Sequence, residues 1–162
     1  MLKTMTPDKE TWMKEALKLA HESMESGQGG PFGAVIVRNG EIIGRGSNRV
    51  TSSNDPTAHA EVVAIRDACK NIGNFTLAGS EIYTSCEPCP MCLAAIYWAR
   101  LDKIYFANTR LDAARIGFDD DFLYREMILS HAERSTPIAA LPSEEALATF
   151  ALWMEKSDKV AY

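Results

Sequence analysis

An Asn39-Gly40 pair between two β-branched runs, followed by helix-like and strand-like segments taking turns, constrains this chain more than any other feature. Asn-Gly suits a two-residue hairpin turn, in which both central positions need positive φ. Phe32 to Val37 therefore reads as one strand, and Ile42, Ile43 and the residues up to Asn48 as its return. Beyond the hairpin, His59 to Ala68 carries Val62, Ile65 and Ala68 at helical spacing. Glu81 to Ser85 reads as a short strand, Pro90 to Ala99 as a helix, and Lys103 to Ala107 as a strand with Ile104 and Phe106 in alternation. Such an order needs crossover connections, which predicts a sheet with parallel pairs and helices on its faces. Ahead of the hairpin, Thr6 as N-cap and Pro7 at the first helical position open a helix with an apolar stripe of Met13, Leu17, Ala20 and Met24, stopped at Gly27. Near the end, Ser143-Glu144-Glu145 begins a last helix with Leu147, Phe150, Leu152 and Met154 as its apolar members, while 112–136 stays partly unassigned.

With 162 residues, 46% hydrophobic and 24% charged, the chain suits one globular domain, 1–162, able to bury roughly 70% of its extended-chain surface. The longest apolar run is the nine residues Met91 to Ala99, too short for a membrane span. Lys3, Pro7, Asp8, Lys9 and Glu10 interrupt the region where a secretory signal would need apolar residues, so the expected compartment is the cytoplasm. The net charge of −5 and the lack of a basic stripe argue against a nucleic-acid partner. Three of the four cysteines, Cys86, Cys89 and Cys92, lie within seven residues, a crowding that points to metal or catalysis and away from a disulfide scaffold.

Two short segments carry the chemistry: His59-Ala60-Glu61 and Pro88-Cys89-Pro90-Met91-Cys92, each at an expected helix start. One imidazole and two thiolates are ligands suited to Zn2+ in tetrahedral geometry. A helix N-terminus favours thiolate over thiol, and Pro90 suits the first helical position. Three protein ligands would leave a fourth position for water, whose pKa zinc lowers to roughly 7. Glu61, two residues beyond a ligand, is then the general base and proton carrier for hydrolytic deamination. The H-x-E and P-C-x-x-C pair is the known signature of zinc deaminases. The competing reading is a structural zinc with Cys86 as fourth ligand, closing the site.

The residues resemble the cytidine-deaminase-like superfamily and, within it, the small bacterial guanine deaminases. The match runs through Gly29-Gly30-Pro31-Phe32-Gly33-Ala34, Ser53 to Glu61, Thr84 to Cys92, Ile96 to Arg100 and Gly117-Phe118-Asp119-Asp120. The resemblance implies an α/β fold, a three-layer α-β-α sandwich with a mixed five-stranded sheet. It implies zinc on His59, Cys89 and Cys92, with Glu61 and Asp120 as catalytic carboxylates. Asn48, Phe32, Trp98, Ala60 and Tyr162 become the expected substrate-binding set: Asn48 hydrogen-bonding a purine base, Phe32 and Trp98 walling the pocket. The reaction implied is hydrolysis of guanine to xanthine and ammonia, with attack at the ring carbon bearing the amino group. A homodimer is implied too, with the segment from about 140 to 162 exchanged and Tyr162 reaching the partner's site.

Rival readings remain at this point. A tRNA adenosine deaminase shares both zinc motifs but fits poorly with the acidic charge. Another nucleobase or nucleoside deaminase fits less well with Gly117 to Asp120, and a zinc-stabilised module without chemistry leaves Glu61 unexplained.

Overall fold

A computed structural model describes residues 8–162. Thr6 and Pro7, the expected start of the first helix, lie outside the described residues. The described residues divide into two compact units, one running to Leu123 and the other Tyr124–Tyr162.

In the first unit, α1 (Lys9–Glu25) is capped by Asp8, whose carboxylate accepts from the Thr11 N–H at 3.0 Å. Strands β1 (Gly33–Arg38) and β2 (Glu41–Ser47) form the expected hairpin, with Asn39 at φ 53° and Gly40 at φ 82°. A single turn, α2 (Val50–Ser53), interrupts the polar loop before α3 (Ala60–Ile72). There follow β3 (Ser80–Cys86), α4 (Pro90–Trp98), β4 (Lys103–Asn108), α5 (Arg110–Arg115) and the start of α6 (Asp120–Ile128). The last two occupy much of the stretch that periodicity could not assign.

The mixed sheet has the order β2-β1-β3-β4. β1 pairs antiparallel with both β2 and β3, and β3 pairs parallel with β4. β2 and β3 thus run the same way, as the crossover through α3 requires, but β1 lies between them. Among the described residues, only β3 and β4 make a hydrogen-bonded parallel pair. Four strands form among the described residues where the resemblance implied five. The apolar run left after α6, Ile138 to Leu141, is bracketed by Pro137 and Pro142, which lack the N–H groups a ladder needs.

Alternation along β1 sends Val35 and Val37 to one face and Ala34 and Ile36 to the other. On the first face they join Ala16 of α1 and Tyr83, with Trp12, Met13 and Leu19 alongside. On the second they meet Ala60, Ala64 and Ala68 of α3, Ile82, and Ile96 of α4. The result is the expected three-layer α-β-α sandwich. Its helix stripes differ in detail from the sequence reading. Leu17 and Met24 of α1 are exposed, and the buried positions are Ala16, Ala20 and Ser23. In α3 the buried apolar residues are Ala60, Ala64 and Ala68, with Val62 and Ile65 only half-buried. Both shifts have one cause: the helices pack backbone against backbone on glycine-bearing strands, and only small side chains fit the contact. A Cβ on Gly46 would lie 2.1 Å from the Ala60 carbonyl oxygen.

In the second unit, α7 (Glu144–Glu155) starts at Ser143, whose hydroxyl accepts from the Ala146 N–H at 3.3 Å. Glu126 ties Ser135 through both its N–H and its hydroxyl at 2.8 Å. No residue of α7 is buried; Leu147, Phe150, Leu152 and Met154 are all exposed.

Candidate active site

Both motif segments sit where extended backbone gives way to a helix. His59 is the N-cap residue of α3, and Cys89 is that of α4, with Pro90 at the first helical position. The thiol of Cys92 falls one turn into α4 and faces back toward His59. The Nδ1 atom of His59 is 3.7 Å from Cys89 Sγ and 3.6 Å from Cys92 Sγ. A tetrahedral zinc with ordinary Zn–N and Zn–S bonds has N···S edges of about 3.6 Å, so the three atoms have the spacing of one face of its coordination polyhedron. The donor chemistry agrees. Its hydrogen bond to Cys92 holds the Cys89 thiol down to about 4, while the same bond pushes Cys92 far up. Two sulfurs thus compete for one proton beside an imidazole, a conflict that a dication resolves by taking the proton's place. His59, Cys89 and Cys92 fit Zn2+.

Cys86 does not join this group among the described residues. Its thiol is directed at the Thr109 carbonyl oxygen, 3.6 Å away, and burial pushes it up to about 11, so it stays a protonated donor. The alternative of a closed four-ligand site is therefore not the arrangement found, and three protein ligands converge.

A cavity of about 330 Å³ opens beside the metal group. Phe32, Asn48, His59, Glu61, Cys89 and Asp120 all line it, which brings together six of the residues singled out from sequence. Glu61 sits in the first turn of α3 and is only 6% exposed. Burial pushes its carboxyl up to about 7, reinforced by the Cys89 thiolate and opposed by the bond to Cys92 and by His59. A carboxyl held so can both accept and release a proton near neutral pH. Asp120, at the start of α6, is also raised, first by burial and then by the Cys89 charge.

Asn48 directly follows β2 and is buried. Its Oδ1 accepts the backbone N–H groups of Gly30 and Val50, each at 3.3 Å. Two backbone donors fix the orientation of the amide, because only the oxygen can accept them. The amide's acceptor is thus engaged by the backbone, which leaves the NH2 donor as the group to offer a ligand.

Several expected residues lie elsewhere. Ala60 is fully buried in the core and does not line the cavity. Trp98, at the end of α4, is 62% exposed and is absent from the cavity wall. Tyr162 belongs to the second unit and is exposed. Other residues take the wall instead. Phe118 packs edge-on against Phe32, with ring centroids 4.8 Å apart and planes at 88°. Gly30 permits that pair, since a Cβ there would stand 3.0 Å from Phe118 Cζ. Glu87 also lines the cavity, and its Oε2 accepts the Arg110 N–H at 3.0 Å. Phe118 sits two residues before Asp120, and Glu87 two before Cys89. Adjacency to a chemical motif was the one signal in sequence that could have picked them out.

A three-layer α/β fold, a three-ligand metal group at two helix starts and a buried carboxyl on the adjoining cavity together define a zinc-binding deaminase domain. The chain belongs to the family described as the cytidine and deoxycytidylate deaminase zinc-binding region, whose model matches residues 6–108. Guanine deaminase of Bacillus subtilis (strain 168) is 52% identical over 153 residues, spanning 94% of this chain and 98% of that protein. The X-ray structure of guanine deaminase from Bacillus subtilis superposes with a TM-score of 0.94 at 51% identity, covering 96% of this chain and 99% of that one. A tRNA-specific adenosine deaminase of Buchnera aphidicola subsp. Schizaphis graminum (strain Sg) is 42% identical over 107 residues, which cover 66% of this chain and 70% of that protein.

Proposed function

We propose that this protein hydrolyses guanine to xanthine and ammonia. The observation that carries the reading is the meeting of two carboxyls, Glu61 and Asp120, on the cavity that also exposes His59 and Cys89. The extent of similarity to the Bacillus subtilis guanine deaminase, which runs past the zinc motifs and through Gly117 to Asp120, supports the choice of base.

His59, Cys89 and Cys92 would hold a zinc ion, which would supply Lewis acidity toward water near neutral pH. Glu61 takes one proton from the attacking water to the ring nitrogen and then carries the second, from the added hydroxyl, to the departing amine. Asp120 accepts from the ring N–H and amino group, which guanine presents side by side. The Asn48 NH2 donates to the carbonyl oxygen of guanine; adenine carries an amino group at the same ring position, where donor would face donor. Phe32 and Phe118 offer an aromatic corner to a flat ring. In the balanced reaction a C–O bond forms at the amino-bearing carbon as its C–N bond breaks, consuming one water.

The proposal extends to assembly. The protein acts as a cytoplasmic homodimer of single-domain subunits in which the segment from about 140 to 162 is exchanged and Tyr162 completes the partner's site. The unburied apolar side chains of α7 support it, since apolar faces of this kind call for a partner surface. No helix among the described residues is long and apolar enough to cross a membrane.

Ammonia release from guanine, adenine, cytosine and their nucleosides tests the substrate. Guanine alone should be turned over well. Preference for adenosine in tRNA would move the chain to the rival reading, and inactivity on every base at full zinc occupancy would leave a binding module.

A further inference from the structure

Arg110 is gripped at both ends. Its backbone N–H donates to Glu87 Oε2 at 3.0 Å, and its Nε lies 4.0 Å from Asp121 Oδ1, with both side chains partly screened from solvent. Glu87 stands on the turn that leads from β3 to Cys89. Its own N–H donates to the Asn108 carbonyl at 2.8 Å, and the neighbouring Cys86 thiol is directed at the Thr109 carbonyl. Three contacts therefore stitch the ligand-bearing turn to residues 108–110. The first turn of α5 is stiffened by a reciprocal cap between Thr109 and Asp112. Beyond α5 the chain turns through Gly117 at φ 95°, a backbone conformation that favours glycine, before α6 begins.

We propose that Arg110 is a positioning residue that, anchored on Glu87 and reaching Asp121, fixes the first turn of α6 and so aims Asp120 into the cavity. The inference rests on the reading of Asp120 as a substrate-contacting group. Phe118 anchors the approach to the first turn of α6, its N–H donating to the Ala113 carbonyl at 3.0 Å and its ring packing on Phe32. The Arg110–Asp121 pair ties the first turn of α6 to the same turn that carries Cys89, so the proton-handling carboxylate and the metal ligands share one frame. A misplacement of about 1 Å at a reacting group can lower rates by roughly 100-fold, so modest restraint here has a kinetic effect.

A double-mutant cycle on the full-length, zinc-loaded protein tests this, with kcat and KM for guanine and zinc content as readouts. Arg110→Ala and Asp121→Asn should each lower kcat about 10-fold, with zinc stoichiometry unchanged, and Arg110→Lys should recover most of the loss. In an Asp120→Ala background, Arg110→Ala should change kcat less than about two-fold, because its route of action is gone. A full 10-fold effect in that background, or no effect of Arg110→Ala alone, overturns the positioning role while leaving Asp120 in place. Unchanged turnover in Asp120→Ala alone overturns the reading of Asp120 and the inference with it. If Arg110→Ala does not fold, Asp121→Asn carries the same cycle.

Discussion

In the proposed reaction, Glu61 is the residue on which the chemistry turns. A carboxyl this buried would normally be a liability, since desolvation penalises its charged form. Here the group faces a cavity beside a metal site, and the penalty shifts its proton affinity into the range useful for proton transfer. Glu61→Gln keeps size and hydrogen-bonding reach but cannot carry the proton. It should lower kcat by roughly 100- to 10,000-fold with zinc content unchanged, measured by steady-state kinetics and metal analysis on the same sample. A loss below ten-fold would point to a different base. Cys86 makes the complementary point: three residues from a ligand, it is turned to a backbone carbonyl, and sequence spacing alone could not separate ligand from neighbour.

At the scale of elements, the site depends on how closely α3 lies against β2. His59 is the residue just before α3, so the height of that helix above the sheet sets where the imidazole stands. Gly46 lets the helix down: a Cβ there would meet the Ala60 carbonyl oxygen at 2.1 Å and the Ala64 nitrogen at 2.4 Å, both backbone atoms that cannot rotate away. Gly46→Ala should therefore destabilise the fold by about 1–3 kcal/mol and weaken zinc retention, since the helix start must lift. Urea unfolding and a competitive zinc chelator report the two effects. Wild-type stability together with wild-type zinc retention would show that α3 does not set the ligand's position. Gly46 escaped the sequence reading because a glycine in a strand signals close approach without naming what approaches.

At the scale of the whole molecule, the two units differ in how their apolar residues are used. The first has a core on each side of its sheet. The second leaves the apolar side chains of α7 at the surface. Exchange of this segment between subunits would cover them and bring Tyr162 to a partner's cavity. Removing the last five residues should then lower kcat on guanine at least ten-fold, in the range set by loss of a substrate-positioning group, while zinc content holds. Unchanged kinetics in the truncated protein would remove the exchanged segment from catalysis.

The sequence by itself determined the hairpin, the run of strands and helices from α3 to β4, and the His59, Cys89 and Cys92 group that could hold zinc. Each of these is written in short-range terms: turn chemistry, periodicity, and ligand spacing across a helix start. Tertiary structure alone decided that β1 separates β2 from β3, that alanines and not the larger residues of α1 and α3 face the sheet, and that Phe118 and Glu87 share the cavity wall while Trp98 does not. Those outcomes depend on distances between segments far apart in the chain, and packing fixes such distances only once strands and helices have met.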